Sequence, residues 1–97
     1  MNQNLPSSLR LTVITPLKLL VDEEVETVSI PSLEGYLGVF PGHRPLFLAL
    51  GEGKITYRVG QKEDHLAVQG GYAEILSERV VIFAEVSENE IEQSAER

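Results

Sequence analysis

Cysteine and tryptophan are absent from the 97 residues, and the only methionine is the first residue. Without thiols there is no disulfide framework, no thiol nucleophile and no zinc–thiolate site, which fits a reducing cytosol. Long hydrophobic runs are missing too. The longest, Leu46 to Leu50 and Val80 to Ala84, fall far short of the ~20 residues that span a bilayer. The opening MNQNLPSSLR lacks the apolar stretch of a signal peptide, so the chain is expected to be soluble and not exported. Positive charge is scarce: 8 basic against 15 acidic residues give −7 and a pI near 4.7. Such a field repels phosphate backbones and anionic headgroups, making nucleic acid and anionic lipid poor partners. Five glutamates and one arginine fall between Glu85 and Arg97 (−5 + 1 = −4), so residues 1–84 carry only −3.

Familiar catalytic patterns are also lacking. There is no G-x-S-x-G elbow, H-E-x-x-H pair, Walker loop or dinucleotide fingerprint, and Gly35 to Gly42 has neither the lysine nor the following helix that phosphate binding needs. His43 and His65, 22 positions apart, form no metal set. Asp22-Glu23-Glu24 reads as a solvated acidic turn. Neighbours on a strand point to opposite faces, so these carboxylates cannot make the facing pair of a glycosidase. No catalytic residue, metal or cofactor is expected.

What is present is short β-rich runs between turn signals. Leu9 to Thr15 alternates with period two and ends at Pro16; Lys18 to Asp22 and Val25 to Ile30 follow, separated by Glu23-Glu24, the second ending at Pro31. The stretch Glu34 to His43, a short strand between two tight reversals, precedes Pro45 to Leu50, and Gly51-Glu52-Gly53 turns that run into Lys54 to Val59 in the pattern of a hairpin. Asp64 to Gln69, a break or bulge at Gly70-Gly71, Tyr72 to Leu76 and Val80 to Val86 complete about nine candidates. With no helical repeat between them, the pattern predicts an all-β fold, a flattened antiparallel sandwich or barrel over residues 1–86. Ser87-Glu88-Asn89-Glu90 matches a capping box and predicts a helical stub over residues 87–97.

Glu34 to His43, EGYLGVFPGH, stands out. Gly35, Gly38 and Gly42 permit positive φ or close backbone approach, and Pro41 fixes a turn, while Leu37, Val39 and Phe40 can pack on either side of a short strand. The segment is a stiff projecting corner, and spacing alone leaves open whether it closes one end of the sandwich or docks a partner.

Glu34 to Leu46 resembles the E-G-x-x-G-(apolar)-x-P-G-H-x-P-L signature of the epsilon subunit of bacterial F-type ATP synthases, delta in mitochondrial naming. Further pieces fall in the same order: L-x-V-x-T-P at Leu11 to Pro16, an acidic V-x-x-V-x-(I/L)-P at Val25 to Pro31, G-x-(I/L/V)-x-(Y/I)-(R/K) at Gly53 to Arg58, and G-G-(Y/F)-x-E-(I/V) at Gly70 to Ile75. The resemblance implies a ten-stranded β-sandwich at the foot of the central rotor stalk, held between the gamma subunit and the polar loops of the membrane c-ring. It implies no bond chemistry, only coupling of gamma to the ring during proton-driven ATP synthesis, at the cytoplasmic side of a bacterial membrane.

Carried over by position, the resemblance implies a c-ring contact at Glu34, Gly35 and Tyr36, and gamma contacts at His43, Pro45, Leu46, Leu48, Gln69 and Glu74. The third position is often acidic or polar in relatives, so Tyr36 favours an aromatic contact over a purely electrostatic one. For Leu46 and Leu48 the competing reading is ordinary core. For His43 it is a turn histidine satisfied locally. The family's carboxyl-terminal helical hairpin, which in some members binds ATP, would be represented only by its first turns before Arg97, so no ATP site is expected. A free-standing sandwich that binds carbohydrate is the alternative, thinly supplied with three tyrosines, three phenylalanines and no tryptophan.

Overall fold

Period-two alternation governs the described residues, 6–86, of the computed structural model. Nine strands result: β1 (Leu9–Ile14), β2 (Leu19–Val25), β3 (Thr27–Ser32), β4 (Gly35–Val39), β5 (Leu46–Leu50), β6 (Gly53–Val59), β7 (Lys62–Val68), β8 (Gly70–Ile75) and β9 (Arg79–Glu85). Among the described residues there is no helix. The helix expected from Ser87 lies outside them. Nine strands match the sequence pattern; the tenth implied by resemblance is not among the described residues.

The strands form one curled sheet in the order β2-β1-β9-β8-β5-β3-β6-β7, with β4 on the side of β3. The two halves, β2-β1-β9-β8-β5 and β4-β3-β6-β7, are joined through a single pairing, Ser32 with Leu50. Folding there lays one half over the other, and their inner faces share one core. Leu9, Leu11, Val13, Ala73, Ile75, Val80 and Ile82 come from the first half, and Val28, Ile30, Val39, Ile55 and Val68 from the second. Burying a residue of Val or Ile size stabilises the fold by about 1.5–3 kcal/mol, so these alternating positions select the sandwich over any register that turns them outward.

Several local expectations need correction. The sheet is not wholly antiparallel, because β1 and β9 pair in parallel, Leu11 beside Val80 and Val13 beside Ile82. A parallel pair needs a long connection, and here the whole intervening domain serves. Glu23 and Glu24 do not interrupt β2, which continues to the buried Val25. Asp22 and Glu24 face outward with Arg10, while Glu23 points to the other side of an edge strand, a placement that discourages pairing with another chain. Pro31 does not end β3 either. Its carbonyl accepts from the Gly51 N–H at 2.8 Å, at the point where β3 leaves β6 and meets β5, so no ladder bond is asked of its missing N–H. Gly70 and Gly71 are paired members of β8, opposite Glu85 and Ala84, and form no bulge.

Gly51-Glu52-Gly53 does not close a hairpin, because β5 pairs with β8 while β6 pairs with β3 and β7, the two strands falling in different halves of the sheet. The turn at Pro16 does follow the expected chemistry. The buried Thr15 hydroxyl accepts from the Leu17 and Lys18 N–H groups, both at 3.1 Å, and donates to the Lys18 carbonyl at 3.2 Å, closing the turn that Pro16 begins. Gly35 and Gly42 have φ of 125° and 89°; Gly38 does not require positive φ.

Candidate docking surfaces

Strand alternation that fills the core also decides what lies outside. Ala73 and Ile75 of β8 point inward, so Tyr72 and Glu74 point outward; Phe83 lies beside Tyr72 on β9, Ala49 beside Tyr72 on β5, and Ile14 beside Phe83 on β1. Phe47 and Val81 flank Glu74 in the same way. The outer face of β5-β8-β9-β1 is therefore largely apolar. Phe47, Tyr72 and Phe83 remain 66%, 55% and 47% exposed. The Phe47 and Tyr72 rings stack with centroids 5.9 Å apart and planes 18° apart. Towards Pro16 the face deepens into a groove of about 340 Å³ lined by Ile14, Pro16, Tyr72, Phe83 and Glu85.

Across β1 the same face turns polar. Arg10 Nε lies 2.9 Å from Asp22 and its Nη1 3.7 Å from Glu24. The hydrogen bond from Arg10 holds the Asp22 carboxyl below the usual carboxylate range, and the same contact raises Arg10. Both groups are exposed, so the pair marks the border of the apolar face and adds little stability.

A second surface lies where the two halves part. Among the described residues β4 pairs only with β3, and β5 meets β3 only at Leu50, so their remaining edges face an open cleft of about 540 Å³. Leu33, Glu34, Gly35 and Tyr36 line one side and Leu46 and Leu48 the other. The hairpin corner is compact: the Ser32 hydroxyl accepts from the Glu34 N–H at 3.1 Å and donates to the Gly35 carbonyl at 2.5 Å. Leu33 and Tyr36 are 72% and 63% exposed.

The structure thus distributes the residues named from sequence unevenly. Glu34, Gly35 and Tyr36 share the cleft with Leu46 and Leu48, which sit opposite the buried Ile75 and Ala73 and so belong to the inner side of β5. Glu74 stands on the outer apolar face. Gln69 is exposed at the β7–β8 junction, at the same end as the corner, its N–H bonded to the Glu85 carbonyl at 2.6 Å. His43 and the exposed Pro45 lie at the opposite end, where the Gly42 N–H reaches the Ser77 carbonyl at 2.8 Å. His43 is tied locally, Nδ1 to the Arg44 carbonyl at 2.7 Å and N–H to the Phe40 carbonyl at 3.2 Å. Phe47, Tyr72, Val81 and Phe83 were not singled out from sequence. The available signal was the run Val80–Ala84, apolar on both faces of a strand when one face suffices for the core.

Among the described residues no group of three or more histidine or carboxylate side chains could hold a metal, and no helix is long and apolar enough to cross a membrane.

Residues 8–90 match the family model of the ATP synthase delta/epsilon chain, beta-sandwich domain. The ATP synthase epsilon chain of Solibacter usitatus is 44% identical over 93 residues, covering 96% of this chain and 69% of that protein. The epsilon chain of Nitratidesulfovibrio vulgaris is 41% identical over 81 residues, 84% of this chain and 60% of its own length. That of Koribacter versatilis is 42% identical over 76 residues, 78% and 54% respectively. The chain thus spans little more than half to about two thirds of the length of these relatives. In fold it is similar to a chain of the Euglena gracilis mitochondrial ATP synthase, TM-score 0.78 at 24% identity, covering 99% of this chain and 66% of that one. It is also similar to a chain from the central stalk and c-ring of the Tetrahymena thermophila enzyme, TM-score 0.67 at 15% identity, covering 80% and 63%. With the signature corner, the two-layer β body and these matches together, the chain belongs to the delta/epsilon-chain family of ATP synthases and carries its beta-sandwich domain.

Proposed function

We propose that this chain is a non-catalytic subunit of the rotor stalk of a proton-driven ATP synthase, coupling a gamma subunit to the c-ring. The observation that carries the reading is the outer face of β5-β8-β9-β1, where Phe47, Tyr72 and Phe83 stand exposed in one plane on a domain of this family. Contiguous apolar surface of this kind marks a place where another protein sits. Gamma takes that face, with Glu74 supplying one polar contact within it. The Glu34–Tyr36 corner, at the sandwich end away from His43 and Pro45, takes the polar loops of the ring, where Glu34 can accept charge-assisted hydrogen bonds from a basic loop residue. The subunit is peripheral to the membrane, on the cytoplasmic side in a bacterium, and held there by its partners.

The work asked of the domain is mechanical. Torque passes without loss only through a body whose parts do not shift, and a sandwich packed at crystal-like density meets that need. Mixing the chain with purified gamma subunit and running gel filtration should give a 1:1 complex, whose interface of roughly 1,600 Å² or more is the size stable pairs need. Separate elution at micromolar concentrations would refute the assignment.

A further inference from the structure

We propose that Tyr36 is a positioning residue: bonded to the β6 backbone across a proline break, it fixes the attitude of the Leu33–Gly35 corner. The β3–β6 ladder pairs Thr27 with Arg58, Val28 with Tyr57 and Ser29 with Thr56. Continued by two residues, that register would set Pro31 opposite Lys54. Proline has no N–H to give, and the Pro31 carbonyl is already engaged by the Gly51 N–H at 2.8 Å. The ladder stops, and the Lys54 N–H donates instead to the Tyr36 hydroxyl at 3.1 Å.

The donor and acceptor stand two strands apart, β4 to β6, a span of ~9.6 Å at the usual strand spacing. Tyrosine crosses it by lying over Pro31, its own cross-strand partner. Gly53 makes the crossing possible. A Cβ there would overlap the Tyr36 hydroxyl and come within 2.8 Å of the Pro31 Cβ. The three residues are thus matched: proline opens the gap, glycine clears it and tyrosine fills it.

Apart from this brace the corner is tied to the body at its base, through the Ser32–Leu50 pairing and the Leu33 N–H, which reaches the Ala49 carbonyl at 3.3 Å. The bonds of the Ser32 hydroxyl are internal to the corner. The Tyr36 hydroxyl is engaged by the β6 backbone, so the side chain serves the corner by holding it, while Leu33 and Glu34 are left for the outward contact. The step from a fixed corner to a ring contact rests on the function proposed above; the brace itself does not.

The test compares Tyr36→Phe and Gly53→Ala with the unaltered chain, the first deleting the hydroxyl and the second displacing it while residue 36 stays tyrosine. Amide exchange at Lys54 should quicken about tenfold in Tyr36→Phe, the scale of one lost hydrogen bond. The backbone order parameters of Leu33, Glu34 and Gly35 should fall from about 0.85 towards 0.6, with exchange in β1 and β9 unchanged. A general loss of stability would instead move β1 and β9 as well. Unchanged Lys54 exchange in Tyr36→Phe refutes the brace, and faster exchange with an unmoved corner refutes the positioning role. Binding to a purified c-ring carrying gamma should weaken severalfold in both variants while affinity for gamma alone holds. Equal ring affinity refutes the link to docking. Failure of the unaltered chain to bind gamma or ring would instead sink the proposed function and leave the amide results standing.

Discussion

Gly71 has φ of 127°, and a Cβ built there would overlap the Phe83 carbonyl of the neighbouring strand. Neither the backbone conformation nor the space admits a side chain, so Gly71→Ala should cost about 2–3 kcal/mol, read as a lowered urea midpoint at constant slope. Tyr57 is a different kind of local constraint. Burial, with Asp64 and Glu23 nearby, raises its phenol above the ordinary value of 10.0. A raised value favours the protonated form on folding, so this contribution is fully present below the unfolded pKa and is lost as pH rises through the folded one. Spectrophotometric titration should therefore show a phenolate transition above pH 10.0 that disappears in Tyr57→Phe. A titration unaltered by that substitution would contradict the burial seen for this ring. Both effects come from neighbours distant in sequence, and no local motif announces the second.

Elements differ in how firmly their neighbours hold them. β9 is bonded on both sides, parallel to β1 and antiparallel to β8, and its Val80, Ile82 and Ala84 are buried. Among the described residues β2, β4 and β7 each have one partner. Exchange of backbone amides should accordingly be slowest in β9, requiring near-global unfolding, and faster by orders of magnitude along the free edges of β2, β4 and β7. Uniform protection across the sheet would contradict this order. The run Leu46–Leu50 shows what alternation can and cannot say: an apolar strand on both faces announces two burials, but only pairing with Ala73 and Ile75 tells which face is the core. The parallel union of β1 with β9 was illegible for a related reason. Strands of the same composition pair in either direction, and the choice is made by where the chain has carried its ends.

At the scale of the molecule, the outer face of β5-β8-β9-β1 is mainly apolar, with Glu74 set between Phe47 and Val81. The Arg10, Asp22 and Glu24 group borders a face whose centre is Phe47, Tyr72, Val81 and Phe83. A charge placed in that centre should spare the fold and ruin association, since Phe83 does not enter the core. Phe83→Glu is expected to shift unfolding by no more than about 1 kcal/mol and to weaken gamma binding by at least about 30-fold, the scale of a central interface aromatic. Calorimetry of both properties separates this from a mere loss of stability. Undiminished gamma affinity would place the contact elsewhere, the β4–β5 cleft being the next surface to test.

The sequence by itself determined the all-β class and the family, because strand periodicity and the E-G-x-x-G corner are local properties that residue order states outright. Tertiary structure alone decided which side of β5 faces the core, that Phe47, Tyr72 and Phe83 meet in one plane, and that the Tyr36 hydroxyl ends at Lys54. Those facts join residues brought together only by register and sheet closure, and a chain's order carries no direct record of either.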